Sequence, residues 1–305
     1  MSVYLCYVTA PEDIGPVNAR RFNKEMPIHM VRQVLTGRGL ASPSHTPSLP
    51  NTPPSSITLG HEETGRPCIL LDNSMQSAID ISISHSGGTL GVALLVRDND
   101  RPPVSPSLSL HTSLCHCIGV DVVTLALDAR DVQGVLGVMP GIGAGVSAYP
   151  LPDRGVDQVD TPLVPLGVGW ACAEACVKAT GNAFQEMPGL VYTDIVPPLV
   201  TEGQDYTDSV SSAREHPLVT PSVLRPIPSG VGHCLPSIRY TLPGGAVPVS
   251  VGTHTLLDTH TTDSAAIIKT LLSWVCLEPV HTVSVVQGVV PDMGRYSPRH
   301  FVDWE

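Results

Sequence analysis

Apolar positions along the chain fall into short strand-like runs and two helical stretches. "VYLCYVT" (3–9) is rich in β-branched and aromatic residues and predicts a first strand. "ARRFNKEMPIHMVRQVL" (19–35) spaces its apolar residues as a helix does, with Pro27 expected to break or kink it. "RPCILLD" (66–72) predicts a short strand. "AIDISISHSGG" (78–88) alternates apolar and polar residues and ends in a glycine turn; "TLGVALLV" (89–96) follows, so the two predict a hairpin. "CIGVDVVTLAL" (117–127) predicts another strand. "WACAEACVKATG" (170–181) predicts a helix of small residues that begins near Val168 or Gly169 and stops at Gly181. "SIRYTL" (237–242), "AVPVSVGTHTLL" (246–257), "LLSWVCL" (271–277) and "HTVSVVQGV" (281–289) predict the closing strands.

Between these elements lie stretches with no usable period: 41–58, 100–109, 136–167 and 196–232. They hold much of the chain's 27 Gly and 30 Pro, which points to long irregular insertions around a smaller folded core. The 305 residues suffice for one large domain or two smaller lobes. A net charge of −11 makes the chain a poor general nucleic-acid binder, so an anionic ligand needs a local basic patch. The 8 Cys include no Cys-x-x-Cys pair and are too sparse for a disulfide scaffold; they read as small apolar residues in a reducing compartment, hence a cytoplasmic protein. The N-terminus reads as a strand rather than a signal peptide, and no apolar run approaches a membrane span.

Candidate chemistry is sparse. Glu174 and Lys178 stand at i and i+4 on a helix otherwise built for burial. An exposed helix ion pair has that spacing. Trp170 extends the same face, and a stripe of Trp, Glu and Lys suits the wall of a cleft better than open solvent. Asp121, in "GVDVV", is flanked by β-branched residues; a buried strand Asp must cap a turn, be paired or bind a cation. Magnesium takes one or two protein carboxylates and completes its shell with water and phosphate oxygens, which Asp121 and Glu174 together would suit. "SISHSGG" (82–88) places His85 at a strand end, either as a turn residue or, with Ser84, as a donor to phosphate. "HTSLCHC" (111–117) offers four metal-ligand types, but no second pair follows at zinc-finger spacing. "GIGAG" (141–145) lacks the dinucleotide-binding spacing, and no Gly-x-Ser-x-Gly elbow is present.

In order along the chain, "GRP" (65–67), "ISISHSGG" (81–88), "GVDVV" (119–123) and "WACAEACVKATG" (170–181) resemble the motifs of the large, two-lobed 4′-phosphopantetheinyl transferases. "RRFNKE" (20–25) is similar to that family's basic N-terminal helix. The resemblance implies an α+β fold of two similar lobes, 1–116 and 117–305, each a small antiparallel sheet with a packed helix and the active site between them. It implies a magnesium-dependent monomer that moves the phosphopantetheine arm of coenzyme A to a serine of an acyl or peptidyl carrier protein, with no nucleic-acid or membrane partner. Asp121 and Glu174 would ligate magnesium, and Glu174 would accept the serine proton. Lys178 would hold a phosphate oxygen, Ser84 and His85 would contact the phosphates, Arg66 would read the 3′-phosphate, and Arg21 would bind phosphate from the N-terminal helix.

The sequence departs from that pattern in three places. Val123 stands where many relatives carry a second acid, and Ala173 stands where they carry a lysine before the helical Glu. The N-terminal helix is interrupted by Pro27, which leaves Lys24, His29 and Arg32 beside Arg21 as candidates for its phosphate ligand. Two other readings fit the same residues: a coenzyme A-binding protein without turnover, and an unrelated interaction protein with chance motifs.

Overall fold

The computed structural model describes residues 1–10, 16–36, 56–62, 65–75, 78–97, 117–125, 139–150, 163–181, 184–198, 224–226, 234–256 and 270–288. The first elements are β1 (Ser2–Thr9), α1 (Pro16–Thr36), β2 (Ile57–His61), β3 (Pro67–Leu71), β4 (Ser74–Met75), β5 (Ile79–Ser86), β6 (Thr89–Val96) and β7 (Ile118–Thr124). They are followed by α2 (Pro140–Ala148), α3 (Leu163–Ala179), a 3-10 turn (Phe184–Gly189) and β8 (Val191–Val196). The rest are β9 (Leu224–Pro226), β10 (Cys234–Leu235), β11 (Ser237–Thr241), β12 (Ser250–Leu256), β13 (Thr270–Cys276) and β14 (Thr282–Gly288). The fold is α+β, with few helices and several small sheets. Two of these sheets, ordered β5-β6-β1-β14-β9 and β10-β12-β13-β7, carry the core.

Strand alternation divides the apolar residues between layers. On β1 and β6, Cys6, Val8, Leu90, Val92 and Leu94 pack with Phe22, Met26 and Met30 of α1. Their opposite faces, Val3, Leu5, Tyr7, Ala93 and Leu95, meet Val120, Val122, Leu272 and Trp274 of the second sheet. The far face of that sheet, with Leu271 and Val275, packs on Cys172, Ala175, Cys176 and Ala179 of α3. Helix, sheet, sheet and helix are therefore bound by three apolar cores.

Several expectations hold and several shift. The strands expected from 3–9, 66–72, 78–96, 117–127 and the four closing segments all form, with ends shifted by up to a few residues. α1 continues unbroken across Pro27. Proline removes one N–H there, at a cost of about 3 kcal/mol for an interior position. The buried residues Phe22, Met26, Met30 and Val31 keep the helix against the sheet despite that loss. α3 begins at Leu163, a turn earlier than expected, although Pro165, Gly167 and Gly169 are poor helix formers. Packing explains it: a Cβ on Gly169 would lie 2.8 Å from Val146 of α2, and one on Gly167 would lie 2.3 Å from Leu125. Small residues are what let this helix lie close to its neighbours. α2 forms within the stretch 136–167 expected to be an irregular insertion, and β8 had no sequence expectation.

β14 pairs with β1 in parallel, so the first sheet is not wholly antiparallel and includes a strand from beyond residue 117. Of the expected insertions, 100–109 lies outside the described residues and 41–58 and 196–232 lie mostly outside them, whereas in 136–167 the described residues form α2 and the start of α3 rather than irregular chain. Among the described residues, no helix is long and apolar enough to cross a membrane.

Candidate functional site

The site grows from a join between two sheet edges. β5 ends the first sheet and β7 ends the second, so each has a row of backbone groups without a strand partner. On β5 the odd residues Ile79, Ile81 and Ile83 face the α1 core. The even residues are Asp80, Ser82, Ser84 and Ser86, and these receive the outward N–H groups of β7. Asp80 Oδ2 accepts from Cys117 N (2.7 Å) and Ile118 N (3.0 Å). Ser82 Oγ accepts from Val120 N (3.0 Å), Ser84 Oγ from Val122 N (3.3 Å) and Ser86 Oγ from Thr124 N (3.2 Å). A ladder of side chains thus replaces a backbone ladder and satisfies buried donors that would otherwise be costly.

The other face of β7 points at α3. Gly119 is what brings the helix down: a Cβ there would lie 1.9 Å from Ala175 O and 2.7 Å from Ala179 N. Two residues on, and therefore on the same face, Asp121 meets the charged stripe of α3.

Four side chains from three elements converge there. Asp121 Oδ1 accepts from Ser84 Oγ (2.7 Å) and from Lys178 Nζ (2.6 Å). Lys178 Nζ also donates to Glu174 Oε2 (3.2 Å) and Ser84 Oγ (3.1 Å). Glu174 Oε1 is held from behind by Trp170 Nε1 (3.1 Å). The Asp121 side chain is 3% exposed, Glu174 12% and Lys178 27%, so Lys178 is the most solvent-accessible side chain of the three. Burial pushes the Asp121 carboxyl above the ordinary carboxylate range; Lys178 opposes that push and the neighbouring Glu174 adds to it.

One atom of the cluster is unsatisfied: Asp121 Oδ2 is buried without a hydrogen-bond partner. A carboxyl oxygen without a partner beside a second carboxyl group has room for a proton shared with Glu174 or for a hard divalent cation. Among the described residues no group of three or more His, Cys, Asp or Glu side chains is placed to hold a metal. Two carboxylates would leave most of an octahedral shell to water or ligand oxygens, which suits magnesium better than zinc. Val123, on the same strand face as Asp121, is a buried apolar residue and adds no donor.

Of the other expected residues, His85 is exposed at the end of β5, next to the turn made by Gly87 (φ +53°) and Gly88 (φ +80°). Two successive positive φ values suit a two-residue hairpin turn, and glycine adopts them without strain. Arg66 lies apart from the cluster. Its Nη2 donates to both oxygens of Asp80 (3.1 Å each) and to Ile118 O (2.7 Å), and its Nη1 donates to Lys178 O. A guanidinium so buried and so committed cross-links β5, β7 and the C-terminal turn of α3. Its Nε is buried without a partner, and with the side chain only 6% exposed the fork faces the protein interior rather than the position expected of a phosphate-reading group.

Arg21 sits on α1, where its Nε donates to both carboxylate oxygens of Glu25 (2.9 and 3.0 Å). Of its fellow candidates, Lys24 is exposed and Arg32 Nη2 donates to Ile57 O (3.1 Å). Burial lowers the His29 pKa, Arg32 lowers it further, and Glu25 opposes them. "GIGAG" lies within α2, which accounts for its failure as a nucleotide loop. Of "HTSLCHC" only Cys117 is described, and its Sγ donates to buried Glu278 Oε1 (2.8 Å). Six of the seven described cysteines are buried, with Cys234 exposed; none is disulfide-bonded.

Asp80, Ser82 and Ser86 were missed as site-building residues. Their signal was present as the alternation D-x-S-x-S-x-S over 80–86, polar on the face that neighbouring strands keep apolar. No family model matches the chain, and no curated protein matches it.

Proposed function

We propose that the chain transfers the 4′-phosphopantetheine arm of coenzyme A to a serine hydroxyl of an acyl or peptidyl carrier protein, with magnesium required. The observation that carries this reading is the meeting of Ser84, Asp121, Glu174 and Lys178 in one hydrogen-bonded cluster, although β5, β7 and α3 are far apart in sequence. These are the positions at which the sequence resembles the transferases. The polar join of β5 and β7 supports the finer picture of two lobes with the site between them.

In this reading Asp121 and Glu174 hold the magnesium ion, which supplies charge neutralisation on the pyrophosphate. Lys178 holds a phosphate oxygen, while Ser84 and His85 contact the phosphates from the end of β5. Glu174, oriented by Trp170, accepts the proton of the carrier serine. The serine oxygen forms a bond to the β-phosphorus, the bond from that phosphorus to the bridging oxygen breaks, and adenosine 3′,5′-bisphosphate leaves. The reaction belongs in the cytoplasm, with the carrier domain as protein partner.

Val123, apolar where an acid is expected, favours a second reading: a coenzyme A-binding protein without turnover. Incubation with apo-carrier protein, coenzyme A and magnesium, followed by intact mass, separates the two. A carrier heavier by one phosphopantetheine supports the transferase. Magnesium-dependent coenzyme A binding with no mass change identifies the silent binder. Absence of coenzyme A binding refutes both.

A further inference from the structure

The position of Lys178 bears on how the site fills. An ammonium has three N–H donors, and Lys178 spends all three, on Asp121 Oδ1 (2.6 Å), Glu174 Oε2 (3.2 Å) and Ser84 Oγ (3.1 Å). The Ser84 hydroxyl is equally saturated: it accepts from Lys178 and Val122 N (3.3 Å) and donates to Asp121 Oδ1 (2.7 Å). In this arrangement Lys178 has no donor left for a phosphate. It also stands against both carboxylates that a divalent cation would use. Two cations cannot share these oxygens without strong like-charge repulsion, because Asp121 is almost wholly buried and little solvent screens the pair.

We infer that Lys178 is the resident counter-ion of the Asp121–Glu174 pair, that a divalent cation must displace it, and that the displaced ammonium becomes the binding group for an anionic phosphate ligand. This rests on the proposed function for the identity of the cation and anion as magnesium and a pyrophosphate-bearing substrate. Its own content is an energetic coupling between them. Magnesium alone must leave Lys178 without a counter-ion. Pyrophosphate alone must draw Lys178 from two carboxylates that then face each other uncompensated. Together each relieves the cost of the other, so binding of one tightens binding of the other by the same factor. The direction of displacement is set by exposure: the Lys178 side chain is 27% exposed and Asp121 3%, so the ammonium leaves outward and the cation sits inward, against the orphaned Asp121 Oδ2.

The test is calorimetry with magnesium chloride and inorganic pyrophosphate, on the wild-type chain and on Lys178→Met, which keeps side-chain length and removes the charge. The wild type should bind magnesium at least tenfold more tightly with pyrophosphate saturating than without it, after correction for the magnesium–pyrophosphate complex in solution. Lys178→Met should bind magnesium alone at least tenfold more tightly than the wild type, and most of the pyrophosphate enhancement should vanish. Equal or weaker magnesium binding by Lys178→Met, or an undiminished enhancement in it, would overturn the inference while leaving the transferase reading intact. If the wild type binds neither magnesium nor pyrophosphate, both fall. Should Lys178→Met fail to fold by circular dichroism, the wild-type enhancement decides alone: tenfold or more supports the coupling, and none removes it.

Discussion

Gly119→Ala adds one methyl group at the closest approach of β7 and α3. Its Cβ would lie 1.9 Å from Ala175 O and 2.7 Å from Ala179 N. A relaxed C···O contact is about 3.3 Å, so the helix must retreat by roughly 1.4 Å. Both obstructing atoms are backbone, and no rotamer change can relieve them. Overpacking of this kind costs about 3 kcal/mol at the upper end of the usual range. Alanine in a strand returns about 0.5–1 kcal/mol of chain entropy relative to glycine, leaving a net loss of about 2 kcal/mol. The retreat also stretches the 2.6 Å contact of Lys178 with Asp121. Displacement of catalytic groups by about 1 Å costs on the order of 10²-fold in rate. Urea unfolding followed by circular dichroism reads the first effect, and phosphopantetheine transfer the second. If Gly119→Ala were as stable as the wild type or more so, strand propensity alone would govern the position, and the close helix–strand contact would be refuted.

Arg66→Met breaks the buried pair with Asp80 and should cost about 3–5 kcal/mol in urea unfolding; an unchanged midpoint would mean the guanidinium is free to serve as a phosphate ligand after all. His254 is buried, its pKa is lowered to about 4, and its Nδ1 lies 3.5 Å from Cys234 Sγ. The unfolded chain therefore takes up a proton near pH 6.5 that the folded chain resists. Stability should be full above that pH and fall by up to about 3 kcal/mol as pH drops toward 4, and His254→Phe should flatten this part of the profile. An identical pH profile in the variant would assign the loss to other groups. Trp170→Phe keeps the ring and removes the donor to Glu174, so stability should change by about 1 kcal/mol or less while transfer slows about tenfold. Full transfer activity would show that Glu174 needs no such support.

Strand content was legible wherever apolar residues alternate or run together, because a half-buried or fully buried strand leaves that mark. The first turn of α3 was not: Pro165, Gly167 and Gly169 argue against a helix locally, and only the close approach of α2, Leu125 and Tyr240 makes small residues an advantage there. Pro27 misled in the same way, since the α1 core outweighs one lost hydrogen bond. Within the site, Ser84, Asp121, Glu174 and Lys178 were legible as candidates through motif resemblance, and Glu174 with Lys178 through helical spacing as well. Their mutual geometry was not, because it depends on side chains joining β5 to β7, and the buried polar face of "DISISHS" has a meaning only once the opposing edge strand is known. Arg66 shows the limit most clearly. A basic residue in a "GRP" step carries no sign of whether it will face a ligand or turn inward onto an acid fourteen residues away, as it does with Asp80.

In the proposed transferase, Asp121 and Glu174 act together in magnesium-dependent transfer. The most direct test is single-turnover transfer to an apo-carrier protein at saturating coenzyme A, across a magnesium titration, for the wild type, Asp121→Ala and Glu174→Gln. Circular dichroism confirms that each variant is folded. The wild type should convert the carrier, and each variant should lose at least about 10³-fold, the scale expected when a group that stabilises transition-state charge is removed. Near-normal turnover by either folded variant at any magnesium concentration would contradict the two-carboxylate site.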